Sequence, residues 1–146
     1  MTDRIIRKHT YSPDETELLG EEIAKKIHRG TTILLYGELG AGKTTLTRGI
    51  CRAFGIDMVK SPSFVMVNVY AGRGIDVYHI DLYRVSELDS ETAGEIGEYL
   101  WDDDAIKIVE WAENLLDEII PEKVVAVKIE RISDIEREIT IEDDME

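Results

Sequence analysis

Thr31-Thr32-Ile33-Leu34-Leu35-Tyr36-Gly37-Glu38-Leu39-Gly40-Ala41-Gly42-Lys43-Thr44-Thr45 decides the fold. Its first six residues form an almost unbroken β-prone run, the pattern of a strand buried on both faces in a parallel sheet. A glycine-rich loop follows, and Thr45 to Phe54 then reads as a helix ended by Gly55. Strand, loop and helix are complete within 25 residues.

The loop from Gly37 to Thr44 matches G-x-x-x-x-G-K-[ST]. Backbone amides converge on phosphate oxygens only through positive-φ turns, which glycine adopts cheaply. A helix starting near Lys43 aims its unpaired amides and positive dipole end at the same anion. Gly37, Gly40, Ala41, Gly42, Lys43, Thr44 and Thr45 are therefore the expected ATP-binding residues, with Lys43 as a point charge for the outer phosphates. The Thr44 hydroxyl is the expected oxygen ligand for Mg²⁺.

Outward from this unit the chain reads as further α/β elements. Arg4 to Thr10 is a first strand, and Ser12-Pro13-Asp14-Glu15 is a capping box in which the Glu15 carboxylate is expected to reach the Ser12 amide. Leu19, Ile23 and Ile27 recur every four residues as a helical stripe that Gly30 stops. Phe64 to Tyr70 and Ile75 to Ile80, joined across Ala71-Gly72-Arg73-Gly74, predict a hairpin. Ser90 to Leu100 predicts a helix, Ile106 to Val109 a strand, and Trp111 to about Ile119 a helix ended by Pro121. Lys123 to Glu130 and Arg137 to Glu142 predict a final hairpin, with a frayed acidic end over 142–146. The expectation is one P-loop NTPase-type α/β sandwich over residues 1–146. Its sheet would be mixed and mostly parallel, with helices on both faces and antiparallel hairpins.

Composition narrows the function classes. Seventeen basic residues against 31 acidic ones give a net charge of −14, which argues against a chain that grips nucleic acid by itself. A partner with a basic surface suits it better. No apolar run is long enough to span a membrane, and Met1-Thr2-Asp3-Arg4-Ile5 carries no signal-peptide core. The single cysteine, Cys51, forms no internal disulfide and is expected in the core. A cytoplasmic protein is expected.

Phosphoryl-transfer sites of this type use an acid at a strand end near the metal. Two residues qualify: Glu110, after Ile106-Lys107-Ile108-Val109, and Asp81, after Ile75-Asp76-Val77-Tyr78-His79-Ile80. Both would lie at the carboxyl ends of their strands, where open α/β sheets bind ligands. Residue types alone do not rank them.

Ser61-Pro62-Ser63-Phe64, His79-Ile80-Asp81-Leu82-Tyr83-Arg84 and Glu110-Trp111 stand beside the P-loop. In this order and at these separations they resemble the TsaE (YjeE) family of small bacterial ATPases, which are required to make threonylcarbamoyladenosine at position 37 of tRNA. The likeness covers nearly the whole chain, and the His-x-Asp-Leu-Tyr-Arg block is its distinctive part. It implies that Lys43 binds the β- and γ-phosphates and that Thr44 and Glu110 coordinate Mg²⁺. It also implies that Asp81 is a catalytic or metal-proximal acid, that Ser61 and Ser63 belong to a switch-like segment, and that Arg137 lies near the nucleotide. The implied partners are the tRNA threonylcarbamoyl transferase and its non-catalytic paralogue, whose complex would be reset by ATP hydrolysis. Ser63 stands where the family usually has Thr, and the glycines between Glu91 and Leu100 are spaced differently from the usual form.

Other residues have plainer expected roles. His79 is expected as a hydrogen-bonded strand histidine, Trp111 as a core residue, and Trp101 as an exposed one. Arg84 is expected in a salt bridge, and Asp102-Asp103-Asp104 as a solvated turn rather than a calcium loop. Two other function classes fit a P-loop: a small-metabolite kinase, and a nucleotide-sensing module that exchanges ATP and ADP without significant hydrolysis. A kinase uses a mobile basic lid over the phosphates, whereas the region from Ser86 to Asp104 carries neither Lys nor Arg.

Overall fold

The computed structural model describes residues 4–143, except 39, 58, 60–66, 84–88 and 116. Within these, seven strands form one sheet: β1 (Arg4–Thr10), β2 (Thr32–Tyr36), β3 (Val67–Ala71), β4 (Asp76–Asp81), β5 (Ile106–Glu110), β6 (Val124–Arg131) and β7 (Arg137–Asp143). Three α-helices accompany it: α1 (Pro13–Lys26), α2 (Lys43–Ala53) and α3 (Ser90–Leu100). Strand order across the sheet is β1-β7-β6-β2-β5-β4-β3.

The sheet is mixed, as the sequence predicts, but its ladders divide evenly. β2 pairs in parallel with β5 and β6, and β4 with β5; β1–β7, β6–β7 and β3–β4 are antiparallel. Parallel pairing therefore occupies the centre rather than most of the sheet. The outer ladders are hairpin and edge pairings that need no crossover helix.

Strand alternation divides the core. Ile33 and Leu35 of β2 face α1 and α2, where they meet Leu19, Ile23, Leu46 and Ile50. Leu34 points the other way, with Ile80 and Val109, onto Ile96 and Leu100 of α3. α1 and α2 approach at glycines. A Cβ on Gly49 would lie 1.9 Å from the Glu17 carbonyl oxygen, and one on Gly20 would lie 2.4 Å from that of Leu46. Arg52 and Glu17 add an ion pair across the same crossing at 2.5 Å.

Several local expectations are corrected. The Ser12 hydroxyl does accept the Glu15 amide at 3.1 Å, but the Glu15 carboxylate accepts the Tyr11 amide at 3.0 Å rather than that of Ser12. α1 ends at Lys26, with Ile27 already extended, so the helix stops before Gly30. The helix expected over 111–119 is instead two short 3-10 turns, Ala112–Asn114 and Asp117–Ile119. Trp111 is left-handed (φ 59°) and Leu115 is extended (ψ 147°), so α geometry is broken at both places. Glu142 and Asp143 are paired in β7 rather than frayed, and residues 144–146 lie outside the described set. So does the expected strand start at Phe64.

The α1–α2 contact predicts opposite outcomes for two glycine substitutions. Gly49→Ala overpacks a backbone contact and should cost about 3 kcal/mol, lowering the melting midpoint by roughly 6–12 °C. Gly94→Ala, in α3 with nothing within 4 Å of the new methyl, should gain about 0.4–1 kcal/mol. Calorimetry of both variants checks the pair; a neutral Gly49→Ala would contradict the packing.

Candidate active site

Parallel pairing of β2, β5 and β4 brings three chain segments to one edge. Leu35 lies opposite Glu110, and Glu110 opposite Asp81, so the P-loop leaving β2 runs beside both candidate acids. Gly42 caps α2 in the left-handed region (φ 115°), which turns the loop into the helix at a backbone angle that a side chain would resist. The α2 amides and dipole then point into a cavity of about 270 Å³, lined by Gly40, Gly42, Lys43, Thr44, Thr45 and Asp81, among others.

Lys43 is 5% exposed. Its ammonium donates to the Gly37 carbonyl and, at 3.3 Å, to that of Glu38, and it lies 3.7 Å from the centre of the Trp111 ring. Burial pulls its pKa below the ordinary lysine value, opposed by the negative charges of Glu110, Glu113 and Asp81.

Glu110 is 3% exposed and is the hub of the site. The Thr44 hydroxyl donates to its two carboxylate oxygens at 3.3 and 3.5 Å. On the other side, His79 Nε2 lies 2.5 Å from Glu110 Oε2, with the imidazole fully buried. With a proton on Nε2 the ring donates to Glu110, and its Nδ1 lies 3.4 Å from the Tyr70 hydroxyl. Asn68 in turn donates to Tyr70 at 3.4 Å. This chain runs from the β3–β4 hairpin to the P-loop threonine. Asp81 is half-buried, accepts the Tyr83 amide at 2.9 Å, and has its pKa raised, first by burial.

Thr44 and Glu110 present hard oxygen donors, the type that suits Mg²⁺. Among the described residues, no group of three His, Cys, Asp or Glu side chains could hold a metal ion.

Arg137 reaches the loop from β7. Its Nε donates to the Ala41 carbonyl at 2.9 Å, while Nη1 donates to Ser133 O at 2.8 Å and Glu136 O at 3.2 Å, so it braces the P-loop. Beside it lies a second cavity of about 380 Å³, bordered by Tyr11, Thr16, Gly40, Thr45, Asp134 and Ile135.

Residues 10–139 match the family model described as threonylcarbamoyl adenosine biosynthesis protein TsaE. The chain belongs to the TsaE family. A tRNA threonylcarbamoyladenosine biosynthesis protein TsaE of Bacillus subtilis (strain 168) is 36% identical over 136 residues, spanning 92% of this chain and 84% of that protein. The protein of the same name from Haemophilus influenzae is 38% identical over 132 residues, with 85% and 82% covered. The crystal structure of Bacillus subtilis YdiB superimposes with a TM-score of 0.78 at 29% identity, covering 98% of this chain and 88% of that one.

In this TsaE-family chain the structure gathers Gly37, Gly40, Ala41, Gly42, Lys43, Thr44, Thr45, Asp81, Glu110 and Arg137 around one loop. Ser61, Ser63 and Arg84 lie outside the described residues. His79 is a bonded strand histidine and Cys51 a core thiol, as expected, with burial pushing the thiol pKa up to about 12. Trp111 departs from expectation. It packs partly on the α3-side core, but its ring also meets Lys43 and stacks on Tyr83 at 5.0 Å. Tyr83, Glu113, Tyr11 and Ile135 were not anticipated as site residues. Tyr83 sits inside the His79–Arg84 block, which is the one signal that pointed to it.

His79→Ala removes the donor from a buried carboxylate and should cost about 1–3 kcal/mol. His79→Gln, whose amide can donate in its place, should recover most of that loss in denaturant unfolding. An alanine variant as stable as the parent would contradict the role of this contact.

Proposed function

We propose that this TsaE-family protein is a Mg²⁺-dependent ATP hydrolase, slow alone, that acts in the cytoplasm in threonylcarbamoyl modification of adenosine 37 in tRNA. The observation that carries the reading is the contact of Thr44 with Glu110 at the mouth of a P-loop whose lysine is already poised there. Loop amides and the α2 N-terminus hold the phosphates, and Lys43 exchanges the Gly37 and Glu38 carbonyls for the outer phosphate oxygens. Thr44 and Glu110 would hold Mg²⁺, which supplies charge neutralisation at the β- and γ-phosphates when bound. Asp81, the register neighbour of Glu110, is the acid that orients the attacking water and takes its proton. Its raised pKa suits a proton acceptor. The cavity beside Arg137 takes the nucleoside end, with Tyr11 and Ile135 as its apolar walls.

The partners in this reading are the tRNA threonylcarbamoyl transferase and its non-catalytic paralogue, reset by hydrolysis between turnovers. The acidic charge supports it, because a chain of −14 is suited to reach tRNA through partners rather than alone.

Hydrolysis of Mg²⁺-ATP by the parent and by Lys43→Ala, each with and without the purified partner pair, tests this. Turnover should be low alone and rise with the pair, and Lys43→Ala should lower it about 10²–10³-fold. Flat turnover in every mixture would contradict hydrolysis and favour a nucleotide sensor.

A further inference from the structure

The two faces of the sheet are covered unequally. α1 and α2 pack along one face, whereas on the other the α3 core takes in Leu34, Ile80, Val109 and Val124 from the sheet, with Tyr36 and Val67 packed at its margin. Among the described residues of β6 and β7, Val124 is the one that joins that α3 core. At the margin of that core lies a groove of about 540 Å³. Tyr36, Ala126 and Thr140, from three adjacent strands, form its floor, and Trp111 stands at one end.

The charge at this groove is one-sided. Glu38, Glu113 and Glu142 line it against a single cation, Lys128, whose ammonium is 2.9 Å from Glu130. The nearest further cation on the neighbouring strand is Arg7, in register with Thr140. A polyanion is repelled here. A long cationic side chain fits, with its methylenes along Tyr36 and Ala126 and its charge among the carboxylates. We propose that this groove docks a basic segment of a protein partner, through an arginine or lysine side chain laid on the Tyr36–Ala126 floor.

The position gives the contact a consequence. Gly37 and Glu38, which line the groove, are also the residues whose carbonyls hold Lys43, and Trp111 carries its ammonium. An occupant of the groove therefore touches the resting seat of the phosphate-binding lysine from outside the nucleotide cavity.

For the identity of the partner this inference rests on the reading above. The test is calorimetric titration of the purified transferase–paralogue pair into the parent, Glu142→Lys, Ala126→Arg and Lys128→Ala, with nucleotide affinity measured alongside. Glu142→Lys, at an exposed strand position, and Ala126→Arg should each weaken the complex about tenfold or more, while Lys128→Ala should bind at least as tightly as the parent. Nucleotide affinity should be unchanged in all three. If the parent binds the pair and both basic variants bind equally well, the groove is not the docking site, although the functional reading stands. If the parent binds no pair at all, that reading falls and the docking proposal falls with it. A parent dimer dissociated by Glu142→Lys in sedimentation would make a second copy the occupant and overturn the proposal.

Discussion

A carboxylate that is almost entirely out of water needs hydrogen bonds from the protein, because leaving it unsatisfied costs about 1–3 kcal/mol or more. Glu110 is that carboxylate, and its partners dictate much of the site. His79 must be buried opposite it, which the parallel β4–β5 register achieves by placing His79 beside Ile108 and Asp81 beside Glu110. Thr44 must reach it from the first turn of α2, which requires β2 to lie on the other side of β5. The strand order at the centre of the sheet is thus also the order of the site.

The P-loop is held from several directions. Arg137 braces the Ala41 carbonyl from β7, and Lys43 bonds the carbonyls at the start of the loop. Gly20 and Gly49 let α1 lie against α2 backbone to backbone, fixing the helix whose N-terminus faces the cavity. The overall charge of −14 does not set the potential in that cavity. Charges beyond about 8 Å are screened at physiological salt, so Lys43, the loop amides and the nearby carboxylates of Glu110 and Asp81 dominate.

The pattern of the sequence made the centre of the fold legible because its signals are local. The β-prone run before Gly37, the turn from Gly37 into the helix at Lys43, and the Ser12 hydroxyl cap on the Glu15 amide each depend on a few neighbouring residues, and these form as expected, although the Glu15 carboxylate turns to Tyr11. The segment after Glu110 was illegible. Its apolar spacing looks helical, but Trp111 turns left-handed to place its ring over Lys43, and the Asn114 side chain donates to the Leu82 carbonyl at 2.8 Å. Those contacts come from residues far away in sequence. For the same reason residue types do not rank Asp81 and Glu110: the hydrogen bond from Thr44 to Glu110 joins residues 66 positions apart, and Tyr11 and Ile135 become neighbours only once β1, α1 and the β6–β7 turn have met.

The most direct test of this account is the Mg²⁺ dependence of ATP affinity, followed by Trp111 fluorescence in a Trp101→Phe background, for the parent, Glu110→Gln and Asp81→Asn. The account predicts a saturable Trp111 response to ATP that Mg²⁺ tightens, with the tightening lost in Glu110→Gln and kept in Asp81→Asn. Tightening that survives in Glu110→Gln and vanishes in Asp81→Asn would contradict it and move the metal to the other acid.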